Sequence, residues 1–401
     1  MTQTTRNVKL EAVLQWQSVD AEHIERRFFG RSNLWRDIFP CDLGDRLMQA
    51  ETGEWLEQPM VVGELGAGYE ARQVMHLKAA QFKRQLRPGM VVVPCVGRFY
   101  PRNLLEGVGE FFAQDRRPFR LSAQDQDQIH VDLNHPLATY PGTLRARVNE
   151  RLPERVEHGG RCIDMIEELT TNGPGMQARM REGGTDFFNG DPFARLDGRK
   201  DDLFYQAPRL VQHIDSAAIG VVRDIYARFL KPEMAVLDLM SSWVSHLPEV
   251  ANLSVTGLGL NAAEMEQNAA LTTRHVHDLN SDSNLPFATA SFDAVICSVS
   301  VEYLIRPFEV FAEVARVLKP GAPFVLTFSE RWFPSKVIQL WLDIHPFERL
   351  AVVLDYFRAS NLYTALSTET VRGLARPEDD TYAPTQLEAD PVYAVWGCRD
   401  R

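Results

Sequence analysis

The stretch VLDLMSSWVSHLP, Val236 to Pro248, limits the fold more than any other part of the chain. Apolar residues flank one acid, Asp238, and a short polar run comes before the next apolar segment. A strand that ends in this way and turns tightly is the opening of a nucleotide-type α/β domain, where backbone N–H groups are brought against a cofactor. Glycine usually fills alternate positions of that turn, because a residue without a Cβ lets the backbone approach closely. Here those positions hold Met240, Ser242 and Val244. The frame is recognisable and its cofactor site is altered.

The later segments come in a definite order. LSVTGLGLN (Leu253 to Asn261) fits a second buried strand, and HDLNSDSNLPFATASFDAVICSVSVEYL supplies a loop and a further strand, Ala294 to Val299. A helix is expected around Glu309 to Leu318, then a turn and strand at KPGAPFVLTF (Lys319 to Phe328), and a closing antiparallel strand at PVYAVWGCRD (Pro391 to Asp400). Phe333 to Arg358 alternates aromatics and aliphatics at helical spacing, so a core helix that could also line a pocket is expected there. From about Leu203 to the C-terminus this order resembles the class I S-adenosylmethionine (SAM) methyltransferases of type 11. A Ser-Ser-Trp-Val-Ser-His turn is similar to that of a subgroup of plant and bacterial methyltransferase-like proteins.

The resemblance implies an α/β Rossmann-like domain with a mostly parallel seven-stranded sheet, SAM as cofactor and a methyltransferase activity (EC 2.1.1.-). It implies cofactor contacts at Asp238, Met240, Ser241 and Ser242 in the turn, and at Ser298 on the later strand. The acid that accepts both ribose hydroxyls in the family falls at Gly259, with Asn261 the nearest polar substitute. Asp278, Leu279 and Asn280 fall where the family's Asp meets the adenine amino group and a neighbouring amide meets a ring nitrogen. The hydroxyls of Ser241 and Ser242 can stand in for contacts made elsewhere by close backbone approach. Met240 and Trp243 carry bulk where the methionine moiety would sit, so either the cofactor is displaced or these side chains turn into the core.

Methyl transfer from a sulfonium is an in-line displacement that needs a held acceptor lone pair and a dry site. His246, His213, Glu302 and Tyr303 are the candidate bases, and Tyr205, Arg209, His213 and Asp215 cluster in the segment expected at the acceptor mouth. For Arg209 and Asp215, capping or pairing at a helix entrance is the competing reading. The catalytic set expected is His246, Tyr303, Tyr205, Arg209 and His213. No base dyad stands out among them, which favours a small-molecule acceptor that needs none, such as a small thiol. A non-catalytic SAM-binding scaffold is the alternative, since fold does not imply activity.

Ahead of this half, VKLEAVLQW (Val8 to Trp16), GMVVVPCV (Gly89 to Val96) and TLRARV (Thr143 to Val148) read as short strands of a small β-rich α+β domain. IHVDLNHPLA, Ile129 to Ala138, resembles the signature of SlyD-type FKBP prolyl isomerases. LGDRL (Leu43 to Leu47), GAGYEARQVMHLKAAQF (Gly66 to Phe82) and RPGM (Arg87 to Met90) occur in the family's order. The family's aromatic pocket wall has no counterpart in HIERRFFGRSNLWRDIFP (His23 to Pro40). Thr139 replaces its glycine, and Tyr140 and Pro141 are inserted. The resemblance therefore implies an FKBP-like scaffold whose isomerase or chaperone role is the second alternative. A turn that needs Asn, His and Pro accounts for Asn134 and His135, so neither is taken as catalytic.

These readings divide the chain into an FKBP-like domain at 1–150, an irregular connector at 151–201 and a methyltransferase domain at 202–401. The connector carries the pairs Gly159–Gly160 and Gly183–Gly184 and the aromatic run FFNGDPF. Apolar residues Ile219, Val222, Ile225, Tyr226 and Phe229 then mark a helix. A formal charge of −11 speaks against a nucleic-acid partner. No signal-peptide layout and no apolar run of membrane length occurs, so a cytoplasmic protein without a membrane partner is expected. The five cysteines are scattered without a CxxC pair and the ten histidines without HExxH, so no metal is expected. The methyl acceptor, the oligomeric state and the domain arrangement are left open.

Overall fold

The computed structural model describes residues 6–87, 90–109, 111–153 and 161–401. The pair Gly159–Gly160, and Pro88 and Gly89 of the Arg87 to Met90 segment, lie outside the described residues. In chain order the strands are β1 (Asn7–Gln17), β2 (Glu22–Asn33), β3 (Leu56–Met60), β4 (Val74–Lys78), β5 (Gln85–Arg87), β6 (Met90–Val91), β7 (Phe99–Pro101), β8 (Pro118–Gln124), β9 (Gln128–Asp132), β10 (Gly142–Arg151), β11 (Ala235–Leu239), β12 (Ser254–Gly259), β13 (Thr273–Val276), β14 (Ala294–Ser298), β15 (Pro323–Phe328), β16 (Tyr363–Arg372) and β17 (Val392–Arg399). The α-helices are α1 (Leu43–Gln49), α2 (Met165–Thr170), α3 (Asp201–Phe204), α4 (Ser216–Ala227), α5 (Ala262–Gln267), α6 (Pro307–Val317), α7 (Gln339–Asp343) and α8 (Pro346–Ser360). The chain divides into two compact units, Met1–Pro192 with Asp343–Val352, and Phe193–Leu342 with Val353–Arg401. The stretch expected as a connector is shared between them, up to Pro192 in the first and from Phe193 in the second.

The first unit is β-rich. Strands β2, β1, β10 and β3 lie side by side in that order, all antiparallel. Leu10, Ala12, Leu14 and Trp16 alternate along β1 into a core shared with Leu144, Ala146 and Val148 of β10, as a period of two requires. A second antiparallel sheet, β4-β9-β8-β7, is inserted in the chain between β3 and β10. It has its own core around Phe82, Phe119, Leu121, Ile129 and Val131. Gly89 to Val96 was expected as a strand, and only Met90–Val91 is one, paired with β5. Val91 and Val93 are exposed, and Pro94 has no N–H to donate to a ladder.

The Asp-x-Asn-His-Pro-Leu-Ala run forms the turn that leaves β9. Asn134 Nδ2 donates to the Asp132 carboxylate at 2.7 Å, and its Oδ1 accepts from the Glu70 backbone at 2.8 Å. His135 Nδ1 accepts from the Leu137 N–H at 3.1 Å, while its Nε2 lies 3.2 Å from the Thr170 carbonyl. Both side chains are consumed in holding the turn. The neighbouring cleft, about 910 Å³ with its open mouth, is lined by such residues as Glu70, Arg102, Asn134 and His135, with no Phe, Tyr or Trp among the described residues of its wall.

In the second unit the strands run β13-β12-β11-β14-β15-β17-β16. Pairings from β13 to β15 are parallel, and β17 is antiparallel to both of its neighbours. The chain order reverses between β11 and β14, and an open sheet leaves a crevice at such a switch point, beyond the carboxyl ends of its strands. Helix α4 starts where Asp215 accepts the Ala218 N–H at 2.9 Å, and it buries Ile219, Val222, Ile225 and Tyr226. Phe229 falls just past its end. The helical stretch expected over Phe333 to Arg358 is broken into α7 and α8, with Pro346 opening the second. Phe311 on α6 packs at ring-centroid distances of 5.0 Å from Phe324 and 4.9 Å from Phe357 and has no solvent exposure. Phe311→Ala should lower the stability of this unit by about 3–5 kcal/mol. Urea denaturation followed by tryptophan fluorescence, on variant and parent, measures it.

Candidate active site

The site is built on the turn that leaves β11. Asp238 is 2% exposed, and its Oδ2 accepts two hydroxyl donors, Ser241 Oγ at 2.5 Å and Ser245 Oγ at 2.7 Å. Burial pushes this carboxyl up to about 6, and the two hydroxyl hydrogen bonds oppose the rise. Asn268 continues the network, donating through Nδ2 to Ser245 Oγ at 2.8 Å and to the Ser242 carbonyl at 3.0 Å. Ser242 Oγ donates to Glu264 at 2.6 Å. Serine side chains thus brace a turn that glycines would leave to the backbone alone.

Met240 sits at φ +58°, the left-handed conformation that favours glycine. The glycines themselves are on the facing strand. A Cβ at Gly259 would lie 2.1 Å from the Ser241 carbonyl oxygen, and one at Gly257 would be 3.1 Å from Ser241 Oγ. Ser241 also donates its backbone N–H to the Leu258 carbonyl at 2.8 Å. The turn is docked on the end of β12, and that contact leaves no room at position 259 for the family's usual acid.

A cleft of about 1140 Å³, mouth included, opens over the ends of β11, β12 and β14. It is lined by Asp238, Met240, Ser241, Ser242, Gly259, Asn261, Asp278, Leu279, Asn280 and Ser298, with Tyr205, Arg209, His213, His246 and Tyr303, whereas Asp215, which caps α4, and Glu302, which is fully buried, do not line it. Several have commitments that the sequence does not announce. Asn261 caps α5 by accepting from the Glu264 N–H at 3.0 Å, and its Nδ2 donates to the Tyr205 carbonyl at 2.8 Å. Asn280 Nδ2 donates to Asp201 and to the Tyr303 carbonyl, and Ser298 Oγ is 2.7 Å from the Tyr226 hydroxyl. Asp278 accepts the Asn280 and Ser281 N–H groups and the Ser281 hydroxyl. Of the two outcomes expected for Met240 and Trp243, the turn into the core does not occur. Both line the cleft, and the Trp243 ring N–H is pinned to the Val211 carbonyl at 3.1 Å.

Two histidines and two tyrosines of the wall are shifted toward their neutral forms. His246, at φ +50° and 8% exposed, has its imidazole pushed down to about 4, first by burial and then by Arg223 and His213. Its Nδ1 is buried with no hydrogen-bond partner among the described residues. Burial also lowers His213 and raises the phenols of Tyr205 and Tyr303. Tyr303 is further occupied, because its hydroxyl accepts the Phe333 N–H at 2.8 Å.

Glu264 and Asp201 also line the cleft and escaped the sequence reading, and Phe333, the first residue of the stretch expected to line a pocket, joins them. Glu264 had a signal: it stands three residues after the cap Asn261, the spacing of a capping box. Asp201, bound by Arg195 at 2.8 Å, Lys336 at 3.1 Å and Asn280 at 2.8 Å, had none.

The donor set of these residues fits SAM with one contact altered. Asp278 and the turn both line the cleft. The orphaned Nδ1 of His246 is a buried polar atom that a ligand would complete. No carboxylate stands at position 259, where the resemblance implies a ribose acid, and Glu264 on α5 is a carboxylate that lines the cleft just beyond it in the chain.

The family model described as a methyltransferase domain matches residues 240–326. The chain is 34% identical over 146 residues to a ubiquinone/menaquinone biosynthesis C-methyltransferase of Dinoroseobacter shibae, a match that covers 35% of this chain. The chain spans about half the length of that curated relative, 51%. Among solved structures, a putative methyltransferase in complex with the Haloferax volcanii Trm112 methyltransferase activator is 18% identical with a TM-score of 0.33, covering 46% of this chain and 95% of that one. A putative methyltransferase of Bacillus halodurans is 14% identical with a TM-score of 0.32, covering 46% of this chain and 99% of that one.

Two outcomes are expected of this geometry. Gly259→Asp, which restores the family's acid, should cost about 2 kcal/mol or more, because backbone stands where its Cβ must go. Thermal melting and calorimetry with S-adenosylhomocysteine test it, and tighter binding at unchanged stability would show that the turn is not docked on β12. Asp238, raised on folding, contributes stability that is full below its unfolded value near 4 and is lost as the pH rises through about 6. Asp238→Asn should therefore gain on the parent by about 1–3 kcal/mol between pH 4 and pH 7.5, read from paired urea denaturations. The C-terminal half of the chain contains, at residues 240–326, a methyltransferase domain of the class I, SAM-dependent kind.

Proposed function

We propose that this chain is a SAM-dependent methyltransferase acting on a small-molecule acceptor, with small thiols the favoured class. The observation that carries the reading is that one cleft joins the turn 240–246 and the loop 277–280 to a wall of Tyr205, His213, Tyr303 and Phe333. Cofactor-side and acceptor-side residues therefore share one partly dry space. SAM, when bound, supplies a methyl group on a sulfonium centre.

The residues of this chain hold and orient. In the proposal the turn amides, braced by Asp238 through Ser241 and Ser245, meet the donor's amino-acid portion. Glu264 takes the place of the missing ribose acid, and Asp278 and Leu279 meet the adenine. Phe333, Tyr205 and Trp243 exclude water from the acceptor's approach. His246 offers a neutral Nδ1 that accepts a hydrogen bond and so orients the acceptor.

The acceptor class is set by proton energetics. Moving a proton from an aliphatic ammonium near 10.4 to an imidazole near 4 would cost about 9 kcal/mol, and from a thiol near 8.5 about 6 kcal/mol. Neither transfer is useful, so the acceptor must lose its proton to solvent. A thiol does so to the extent of a few per cent at neutral pH and is a soft nucleophile.

Methyl-labelled SAM offered with matched thiols, amines and phenols tests both levels of the proposal. Label is expected in the thiols at a rate at least about tenfold above the amines. Labelled amines or phenols without labelled thiols would overturn the acceptor class. Binding of S-adenosylhomocysteine with no label in any class would favour the non-catalytic scaffold.

A further inference from the structure

Arg209 lies in the segment between α3 and α4. Its guanidinium is over three rings, at 4.4 Å from the Phe204 centroid, 5.3 Å from Phe333 and 5.8 Å from Tyr205. Nη2 donates to the Phe204 carbonyl at 2.9 Å, whereas Nη1 is buried with no hydrogen-bond partner among the described residues. Arg195, Arg228 and Arg376 of the same unit each hold a carboxylate. Arg209 has no such ion pair among the described residues. Glu264, whose oxygens accept the Arg209 backbone N–H at 2.7 Å and the Ser242 hydroxyl, forms no ion pair with the guanidinium.

A guanidinium does not lose its proton at any ordinary pH, and rings that displace water from it leave its charge to be answered by an anion. Its planar fork suits a carboxylate. The cleft that Arg209 lines has a second incomplete polar atom, Nδ1 of His246, a residue only 8% exposed. A donor and an acceptor left unmet in one cleft describe a polar ligand, since each would be costly to bury without one.

We propose that Arg209 is a carboxylate anchor, so that the ligand of this cleft bears a carboxylate that sits on Nη1. This rests on the methyltransferase reading. The carboxylate has two possible sources, the amino-acid end of the methyl donor or an acidic methyl acceptor, and the test separates them.

Full-length parent, Arg209→Gln and Arg209→Lys are titrated calorimetrically with S-adenosylhomocysteine and with 5′-methylthioadenosine, which lacks the amino-acid end. Methyl transfer to 3-mercaptopropionate and to 2-mercaptoethanol is measured on the same proteins, and thermal melting checks folding. A charge-assisted hydrogen bond sets the expected effect at about tenfold or more. If the donor supplies the carboxylate, Arg209→Gln weakens S-adenosylhomocysteine by that factor and leaves methylthioadenosine within about twofold. If the acceptor supplies it, S-adenosylhomocysteine binding is kept and the parent's lower KM for mercaptopropionate is lost. Either result supports the anchor, and Arg209→Lys, which keeps the charge without the fork, should fall between. Should Arg209→Gln not fold, the lysine variant carries the comparison. The proposal is overturned if the variants change neither quantity, or weaken both nucleoside ligands equally. A parent that binds no S-adenosylhomocysteine would instead remove the methyltransferase reading and this one with it.

Discussion

The site depends on one buried carboxylate and the two hydroxyls that reach it. Asp238 stands near the end of β11, an inner strand at the switch point, and both Ser241 and Ser245 donate to its Oδ2. Burying a carboxylate is expensive unless it is hydrogen-bonded, and here the bonds come from the turn that must be shaped. From Ser245 the network runs through Asn268 to the Ser242 carbonyl, and from Ser242 to Glu264 and the Arg209 backbone. One acid thereby ties together β11, its turn, α5 and the segment ahead of α4.

The missing glycines of the turn are answered on the opposite strand. A glycine-rich turn moves its own backbone toward a ligand; this turn instead moves toward β12, where Gly257 and Gly259 have no side chains to stop it. The exchange has consequences. The ribose acid is lost with the Cβ of position 259, and Met240, His246 and Val299 take left-handed backbone around the cleft. For a β-branched residue such as Val299 this conformation costs about 1–3 kcal/mol and is held only by its surroundings, including the N–H it donates to the Thr327 carbonyl at 2.7 Å. Strain gathered at a cleft is the pattern of a functional site.

Much of the second unit was legible because its strands are short apolar runs in a fixed order, and because Ile219, Val222, Ile225 and Tyr226 repeat at helical spacing. Strand β2 was not. Its buried positions include His23, Glu25 and Ser32, so no apolar alternation marks it. Glu25 is tolerated inside because Gln177 Nε2 donates to it at 2.5 Å, a partner more than a hundred residues away. The site shows the same divide. Many of the residues that line the cleft were readable from motif order, whereas the commitments of Asn261 and Asn280, and the network around Asp201, come from distant chain segments that no local pattern reports.

The central claim is that the serine-braced turn and the Asp278 loop form one working SAM site without the ribose acid. The most direct measurement is a crystal structure of the full chain grown with saturating S-adenosylhomocysteine. The ligand is expected in this cleft, its adenine against Asp278 and Leu279 and its ribose within reach of Glu264, with the Ser241 carbonyl still packed on Gly259. Ligand bound elsewhere, or a turn lifted off β12 to admit it, would contradict that claim.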